Sequence, residues 1–150
     1  MNYWLVKSEP DCYSIDDLKR DKKAAWSGVR NYQARNYMKS MKIGDMVIFY
    51  HSSANPPSAA GIAKVSREAY PDQTALDKKD DHYDPKSSKE NPIWYHVDIS
   101  FVSKFTELVS LSRIKADPKL GGIMLAQTRS RLSVQPVSEK HFKRIVEMGK

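Results

Sequence analysis

The sequence has little of what exported, membrane-bound or disulfide-stabilised proteins need. Cys12 is the only cysteine among 150 residues, so an internal disulfide or a cysteine metal site cannot form. No apolar run approaches the ~20 residues that a membrane span requires. Lys7, Glu9 and Asp11 interrupt the N-terminal segment where a signal peptide would be continuously apolar. These absences predict a cytoplasmic protein in a reducing compartment, without export or membrane insertion.

The common signatures of catalysis, phosphate binding and metal binding are also absent. The sequence has no Gly-x-Ser-x-Gly, and Gly121-Gly122 lacks the lysine and the spacing of a phosphate-binding loop. None of the four histidines has a metal-ligand spacing, and a charged loop explains the acids around His82 better than a metal site does. The sequence therefore predicts no catalytic residue, no metal and no cofactor.

The composition is that of one folded, basic domain. The hydrophobic fraction of 40% suffices for a core, and residues 1–150 are the length of a single domain. Lys and Arg number 25 against 18 Asp and Glu, which gives a net charge of +7. This balance favours a polyanionic partner, although many soluble proteins are mildly basic. We expect a monomer.

Hydrophobic periodicity and capping residues predict an α+β fold. Ser14, Thr106 and Ser138 are placed to cap helices, and the stripe through residues 31–41 indicates another helix. Gly61 is expected at a bulge or a close backbone approach. A connection is predicted at 22–27 and a long loop at 70–92, with strands at 2–7, 46–50, 60–66, 94–102 and 131–136. Without regular β-α-β alternation, a partly open β-barrel flanked by short helices fits best.

Base recognition is the chemistry that the residues favour most. Proteins that read extruded or unpaired bases stack them on aromatic rings and test their edges with polar groups. Trp26 is followed by Ser27, a glycine, Arg30 and Asn31, which together suit one stacked base with edge and phosphate contacts. The alternative is that Trp26 closes one end of a barrel, and that Asn31 caps the following helix.

Two sets of candidate residues follow from this hypothesis. Several of these residues have a structural alternative. Tyr50 and His51, at the end of a strand, could belong to an ordinary turn, Arg30 could form a salt bridge, and Arg35 and Lys39 could lie on a solvated helix face. Trp94 is included because strand alternation places it on the polar face. The predicted base pocket comprises Ser8, Glu9, Trp26, Ser27, Asn31, Tyr50, His51 and Trp94. The predicted phosphate contacts are Arg30, Arg35, Lys39, Arg129 and Arg131.

Five segments resemble the EVE domain family along nearly the whole chain. They are YWLVKSEP at 3–10, WSGVRN at 26–31, YHS at 50–52, YDPKS at 83–87 and RLSVQPV at 131–137. The resemblance implies a PUA-like fold related to YTH and ASCH domains, and a partner that is DNA or RNA carrying a modified base. Cytosine methylated or hydroxymethylated at its fifth carbon is the ligand class it favours. It also implies a stand-alone domain of the bacterial type.

Two other functions stay open at the level of sequence. The first is an enzyme acting on modified nucleotides, with Glu9 or His51 as general base within hydrogen-bond reach of its substrate. The second is a protein-interaction module that uses the barrel surface. A module of that kind would bind nucleic acid weakly and unselectively at every salt concentration.

Overall fold

One mixed β-sheet organises the chain in this computed structural model, which describes residues 1–127 and 132–150. The described strands are β1 (Tyr3–Ser8), β2 (Lys23–Ala25), β3 (Met46–His51), β4 (Ser58–Pro71), β5 (Tyr95–Ser110) and β6 (Val134–Val137). Their order across the sheet is β2-β5-β4-β3-β1-β6. β1 runs parallel to β3, and the other neighbouring pairs are antiparallel.

The sheet curls, which brings strands from the two ends of this order together. Trp4 of β1, Val97 of β5 and Trp26, directly after β2, belong to one buried cluster. Because alternate side chains of a strand point to opposite faces, Leu5 and Ile48 lie in a second cluster on the other face. A curled sheet with both faces buried confirms the predicted α+β fold with a partly open barrel.

Helices cover the two faces and begin at polar capping residues. They are α1 (Ile15–Asp21), α2 (Tyr32–Ser40), α3 (Leu111–Ala116) and α4 (Glu139–Met148). Ser14, Asn31 and Ser138 each accept a hydrogen bond from the backbone N–H three residues further on, which satisfies a donor at the helix start. The capping interpretation of Asn31 is therefore confirmed. Within the described residues, no helix is long and apolar enough to cross a membrane.

The structure corrects two predicted elements. Thr106 does not begin a helix, because β5 continues to Ser110 and its end pairs with the start of β4. Ser110 caps α3 instead, accepting a hydrogen bond from the Arg113 N–H. The predicted connection at 22–27 contains β2, in which Ala24 pairs with Ile99. In both places, pairing with a distant strand overrides a weak local signal.

The long segment between β4 and β5 is built from short side-chain-to-backbone turns. Asp72 accepts from the Thr74 N–H, Asp80 from the His82 N–H, and Asp84 from the Lys86 N–H. Such turns are the common use of aspartate in loops, which supports the loop interpretation of the acids near His82. Among the described residues, no three His, Cys, Asp or Glu side chains are grouped as metal ligands.

Gly61 lies where β4 passes too close to other atoms for any side chain. A Cβ built there would be 2.5 Å from the Ser103 carbonyl oxygen and 2.8 Å from Ile15 Cδ1. The register between β4 and β5 also shifts at this point, as the predicted bulge or close approach requires. We expect Gly61→Ala to lower the free energy of unfolding by about 1–3 kcal/mol, measured by urea denaturation.

Gly121→Ala is the matched control for this substitution. A Cβ at Gly121 would be 3.5 Å from its nearest neighbour, the Pro118 carbonyl oxygen, which is an ordinary contact. Its effect is expected to stay within about 0.5 kcal/mol. Equal destabilisation by the two substitutions would contradict the close approach at Gly61.

Candidate nucleic-acid site

A cleft of about 690 Å³ opens where β1 and β2 end. The turn after β1 forms one wall and the segment joining β2 to α2 forms the other. One residue of the long β4–β5 segment and one just before β6 complete it. The lining residues are Lys7, Ser8, Glu9, Cys12, Tyr13, Ala24, Ala25, Trp26, Ser27, Gly28, Val29, Arg30, His82 and Ser133.

Trp26 lines this cleft and is held in place by the sheet and by two aromatic rings. Its backbone N–H donates to the Val97 carbonyl at 2.8 Å. The indole meets Phe49 edge to face at 5.4 Å between centroids, and Tyr13 at 6.4 Å. Only 9% of the residue is exposed. Trp26 therefore closes one end of the barrel interior while also lining the cleft, so the two interpretations from sequence are compatible.

The turn after β1 is organised by its own hydrogen bonds. The Ser8 hydroxyl donates to the Tyr13 carbonyl at 2.6 Å, and the Cys12 and Tyr13 N–H groups donate to the Glu9 carbonyl. The Ser8 oxygen thus retains acceptor capacity toward the cleft. Burial, followed by the hydrogen bond to Asp21, raises the pKa of Tyr13 to about 12, so its hydroxyl stays protonated at neutral pH.

Lys7, the last but one residue of β1, also lines the cleft. Burial lowers the pKa of its ammonium group from the ordinary lysine value. The sequence interpretation did not include Lys7, because as a lysine within a predicted strand it had no distinguishing spacing. Lys7 pairs with Tyr50 of β3 in the parallel register.

A buried ion pair fixes the wall that carries Trp26. Asp72 is fully buried and accepts hydrogen bonds from the Gly28 N–H at 2.8 Å and from Arg30 Nη1 at 3.1 Å. Thr74 donates to the same carboxylate through its N–H and its hydroxyl. Burial acts to raise the pKa of Asp72, but the hydrogen bonds from Thr74, Gly28 and Arg30 outweigh it, and the net pKa is lowered.

The long β4–β5 segment is seated directly on this wall. Gly28 has a φ of 84°, and a Cβ there would lie 2.9 Å from the His82 ring. The His82 carbonyl accepts from both Nε and Nη2 of Arg30, at 2.9 and 2.7 Å. The positive φ therefore favours glycine at residue 28, and a side chain there would also have to displace the His82 ring. His82 is a lining residue that the sequence interpretation missed.

Arg30 is hydrogen-bonded inside the protein, whereas its predicted role as a phosphate contact stays a prediction. A guanidinium has five N–H donors, and here they point to Asp72, Thr74, the Val29 carbonyl and, twice, the His82 carbonyl. A phosphate would have to displace one of these acceptors. The salt-bridge alternative is the one that the structure shows.

Four predicted pocket residues are not among those lining the cleft. Asn31 caps α2, and Tyr50 is buried in the second cluster, where burial raises its pKa to about 12. His51 Nε2 accepts from the Ile15 N–H at 3.0 Å, and burial lowers its pKa. Trp94 is 5% exposed, and its Nε1 donates to Asp84 at 2.7 Å. The structure thus brings together Ser8, Glu9, Trp26 and Ser27 of the predicted pocket.

The other predicted phosphate contacts lie beside the cleft or outside the described residues. Arg35 donates to the Ile93 carbonyl at 2.9 Å, and the exposed Lys39 places its ammonium 4.7 Å from the Tyr95 ring centroid. These two belong to the outer flank of α2 and do not line the cleft. Arg129 and Arg131 lie in residues 128–131, outside the described part of the chain.

Comparisons with known proteins agree with this architecture along the whole chain. The EVE domain family matches residues 2–148. Human thymocyte nuclear protein 1 is 42% identical over 159 residues, which cover 94% of this chain and 71% of that protein. A Pseudomonas syringae protein of known structure is 46% identical, with a TM-score of 0.95 and 99% of each chain covered.

One solved relative contains a nucleic acid. It is human thymocyte nuclear protein 1 in complex with 5-methylcytosine-containing DNA, at 37% identity and a TM-score of 0.93, covering 100% of this chain and 98% of that one. An ASCH protein from Zymomonas mobilis, at 8% identity and a TM-score of 0.57, shares the fold alone. The fold is that of a small α+β domain of the PUA-like kind. The chain belongs to the EVE domain family.

Proposed function

We propose that the chain binds a nucleic acid that carries a modified base, and that the base enters the cleft beside Trp26. The observation that carries this proposal is an aromatic residue, Trp26, that lines a cleft of about 690 Å³ together with Ser8, Glu9 and Ser27. A modified cytosine is the proposed base, because a relative at 37% identity was crystallised with DNA containing 5-methylcytosine.

We assign different roles in recognition to different lining residues. The Trp26 indole contacts the plane or edge of the base, while Ser8, Glu9 and Ser27 offer polar atoms to its hydrogen-bonding edge. The net charge of +7 draws the polyanion in without choosing a base.

We further propose that the chain binds its ligand without converting it. His51, one of the two groups considered as a general base, accepts a backbone hydrogen bond and does not line the cleft. Glu9 lines the cleft, but catalysis would also require that it reach the proton it removes. Turnover of a modified nucleotide by the purified protein, lost in Glu9→Gln, would overturn this part of the proposal.

The proposal is tested by titrating the protein with short single-stranded DNA and RNA oligonucleotides at two salt concentrations. Each strand carries one central cytosine, 5-methylcytosine or 5-hydroxymethylcytosine, with adenine and N6-methyladenine strands as controls. Burial of one methyl group contributes about 0.8 kcal/mol, or roughly a fourfold preference. We expect a preference of at least that size for a modified cytosine, and it should survive added salt. Uniform, salt-sensitive binding would contradict the proposal.

A further inference from the structure

An exposed aromatic ring lies next to the cleft, on the outer flank of α2. Tyr32 is the first residue of that helix and is 59% exposed. Its ring stacks on the buried Trp94, with 4.9 Å between centroids and 28° between planes. Trp94 lies against one face of the tyrosine, and 59% of the residue is exposed to solvent. The exposed part of the ring is where a further flat ring would continue the stack.

One cation lies at this ring, and a second follows further along the same helix. The Arg35 guanidinium carbon is 5.0 Å from the Tyr32 centroid and 5.9 Å from that of Trp94. Lys39 follows one helical turn later, with its ammonium over the neighbouring Tyr95. Within residues 1–127 and 132–150, neither cation is paired with a carboxylate. An aromatic face beside unneutralised cations is the arrangement that holds a base and its phosphates.

The stack is also connected to the cleft through Arg30. The Arg30 guanidinium lines the cleft and lies 5.4 Å from the Trp94 centroid, which in turn is 4.9 Å from that of Tyr32. A stacked strand rises about 3.4 Å per nucleotide, so a few nucleotides span this separation. One strand can therefore occupy the cleft and reach the tyrosine.

We propose that Tyr32, Trp94, Arg35 and Lys39 form a platform that stacks an unpaired base flanking the one in the cleft. Arg35 and Lys39 neutralise the adjoining phosphates. The location of the strand rests on the proposed function, but the platform itself is a separate contact. Because every base has a flat face, stacking there adds affinity without selecting sequence. The partner is thus a strand that is unpaired at the modified base and beside it.

The test compares Tyr32→Ala with Tyr32→Phe on a single-stranded oligonucleotide that carries one 5-methylcytosine. Loss of one stacked base corresponds to about tenfold weaker binding or more, which is expected for Tyr32→Ala. Tyr32→Phe keeps the ring and is expected to bind like the wild type. The affinity ratio between 5-methylcytosine and cytosine should stay the same in all three proteins. Unchanged melting temperatures would show that the exposed substitution leaves the fold intact.

A second arm removes the stacking partner from the nucleic acid. An oligonucleotide in which the few nucleotides on each side of the 5-methylcytosine are all abasic should bind the wild type more weakly, and Tyr32→Ala should then cause no additional loss. Equal affinity of Tyr32→Ala and wild type for the intact strand would overturn the platform. If Tyr32→Ala binds more weakly than Tyr32→Phe while the wild type binds 5-methylcytosine and cytosine strands equally well, the proposed function is wrong and the platform is supported. A wild type that binds no strand would overturn both.

Discussion

Replacement of Trp26 by leucine is expected to weaken binding of a strand that carries 5-methylcytosine by about 1–3 kcal/mol, which is the range for losing one base–aromatic contact. The preference for the modified base over cytosine should fall with it, because the lost contact is with that base. Affinities measured at two salt concentrations should both decrease, since the interaction removed is not electrostatic. Unchanged affinity would exclude Trp26 from the site.

The control for this substitution must separate loss of contact from loss of stability. Trp26 also packs on Phe49, so Trp26→Leu leaves a cavity in the core. Phe49→Leu makes a cavity in the same cluster, but Phe49 is fully buried and does not line the cleft. We expect Phe49→Leu to lower the melting temperature while retaining the preference for 5-methylcytosine. Equal loss of that preference would mean that destabilisation explains both results.

Replacement of Asp72 by alanine is expected to lower the free energy of unfolding by about 3–5 kcal/mol, because one partner of a buried ion pair is removed. The Arg30 guanidinium and the Gly28 and Thr74 N–H groups all lose an acceptor. Asp16→Ala is the control, since Asp16 pairs with Lys104 at the surface and should contribute at most about 1 kcal/mol. If urea denaturation gave equal losses of unfolding free energy for Asp72→Ala and Asp16→Ala, the structural role of the buried Asp72 carboxylate would be contradicted.

The same carboxylate predicts how stability responds to acid. The pKa of Asp72 is lower in the folded state than in the unfolded chain, where an aspartate titrates near ~3.9. Its contribution is therefore complete above the unfolded pKa and is lost as the pH falls through the folded pKa. The stability difference between wild type and Asp72→Asn should stay constant above about pH 5 and shrink below about pH 4. If this stability difference grew as the pH fell, it would contradict a lowered pKa of Asp72 in the folded state.

Local sequence patterns were sufficient for much of the fold and for one wall of the site. Capping residues and apolar stripes correctly predicted the starts of α1, α2 and α4, because those signals act within one helical turn. Trp26 and Ser27 were recognised as candidates from their neighbours in the chain, and both line the cleft. Thr106 misled the interpretation because its segment forms the end of β5, paired with β4 some fifty residues earlier.

The rest of the site depends on contacts that a linear pattern does not contain. His82 lies 52 positions from Arg30 in the chain and is held at the cleft by two hydrogen bonds from the Arg30 guanidinium to its carbonyl. Strand alternation placed Trp94 on a polar face, yet Asp84 and Tyr32 cover it from outside that strand. The neighbours of Arg30 in the chain suggested a phosphate contact, but in the fold its guanidinium is paired with Asp72. These contacts depend on the curvature of the sheet, which brings together residues that are distant in the chain.

The central claim, that a modified base enters the cleft beside Trp26, can be tested with the three indole N–H resonances of the ¹⁵N-labelled protein. Trp4 and Trp94 donate their indole N–H groups to Asp45 and Asp84 inside the protein, whereas Trp26 lines the cleft. Titration with 5-methyl-2′-deoxycytidine, which is too small to reach the Tyr32 platform as well, should shift the Trp26 resonance and leave the other two in place. A fixed Trp26 resonance, with changes confined to other parts of the chain, would contradict the account.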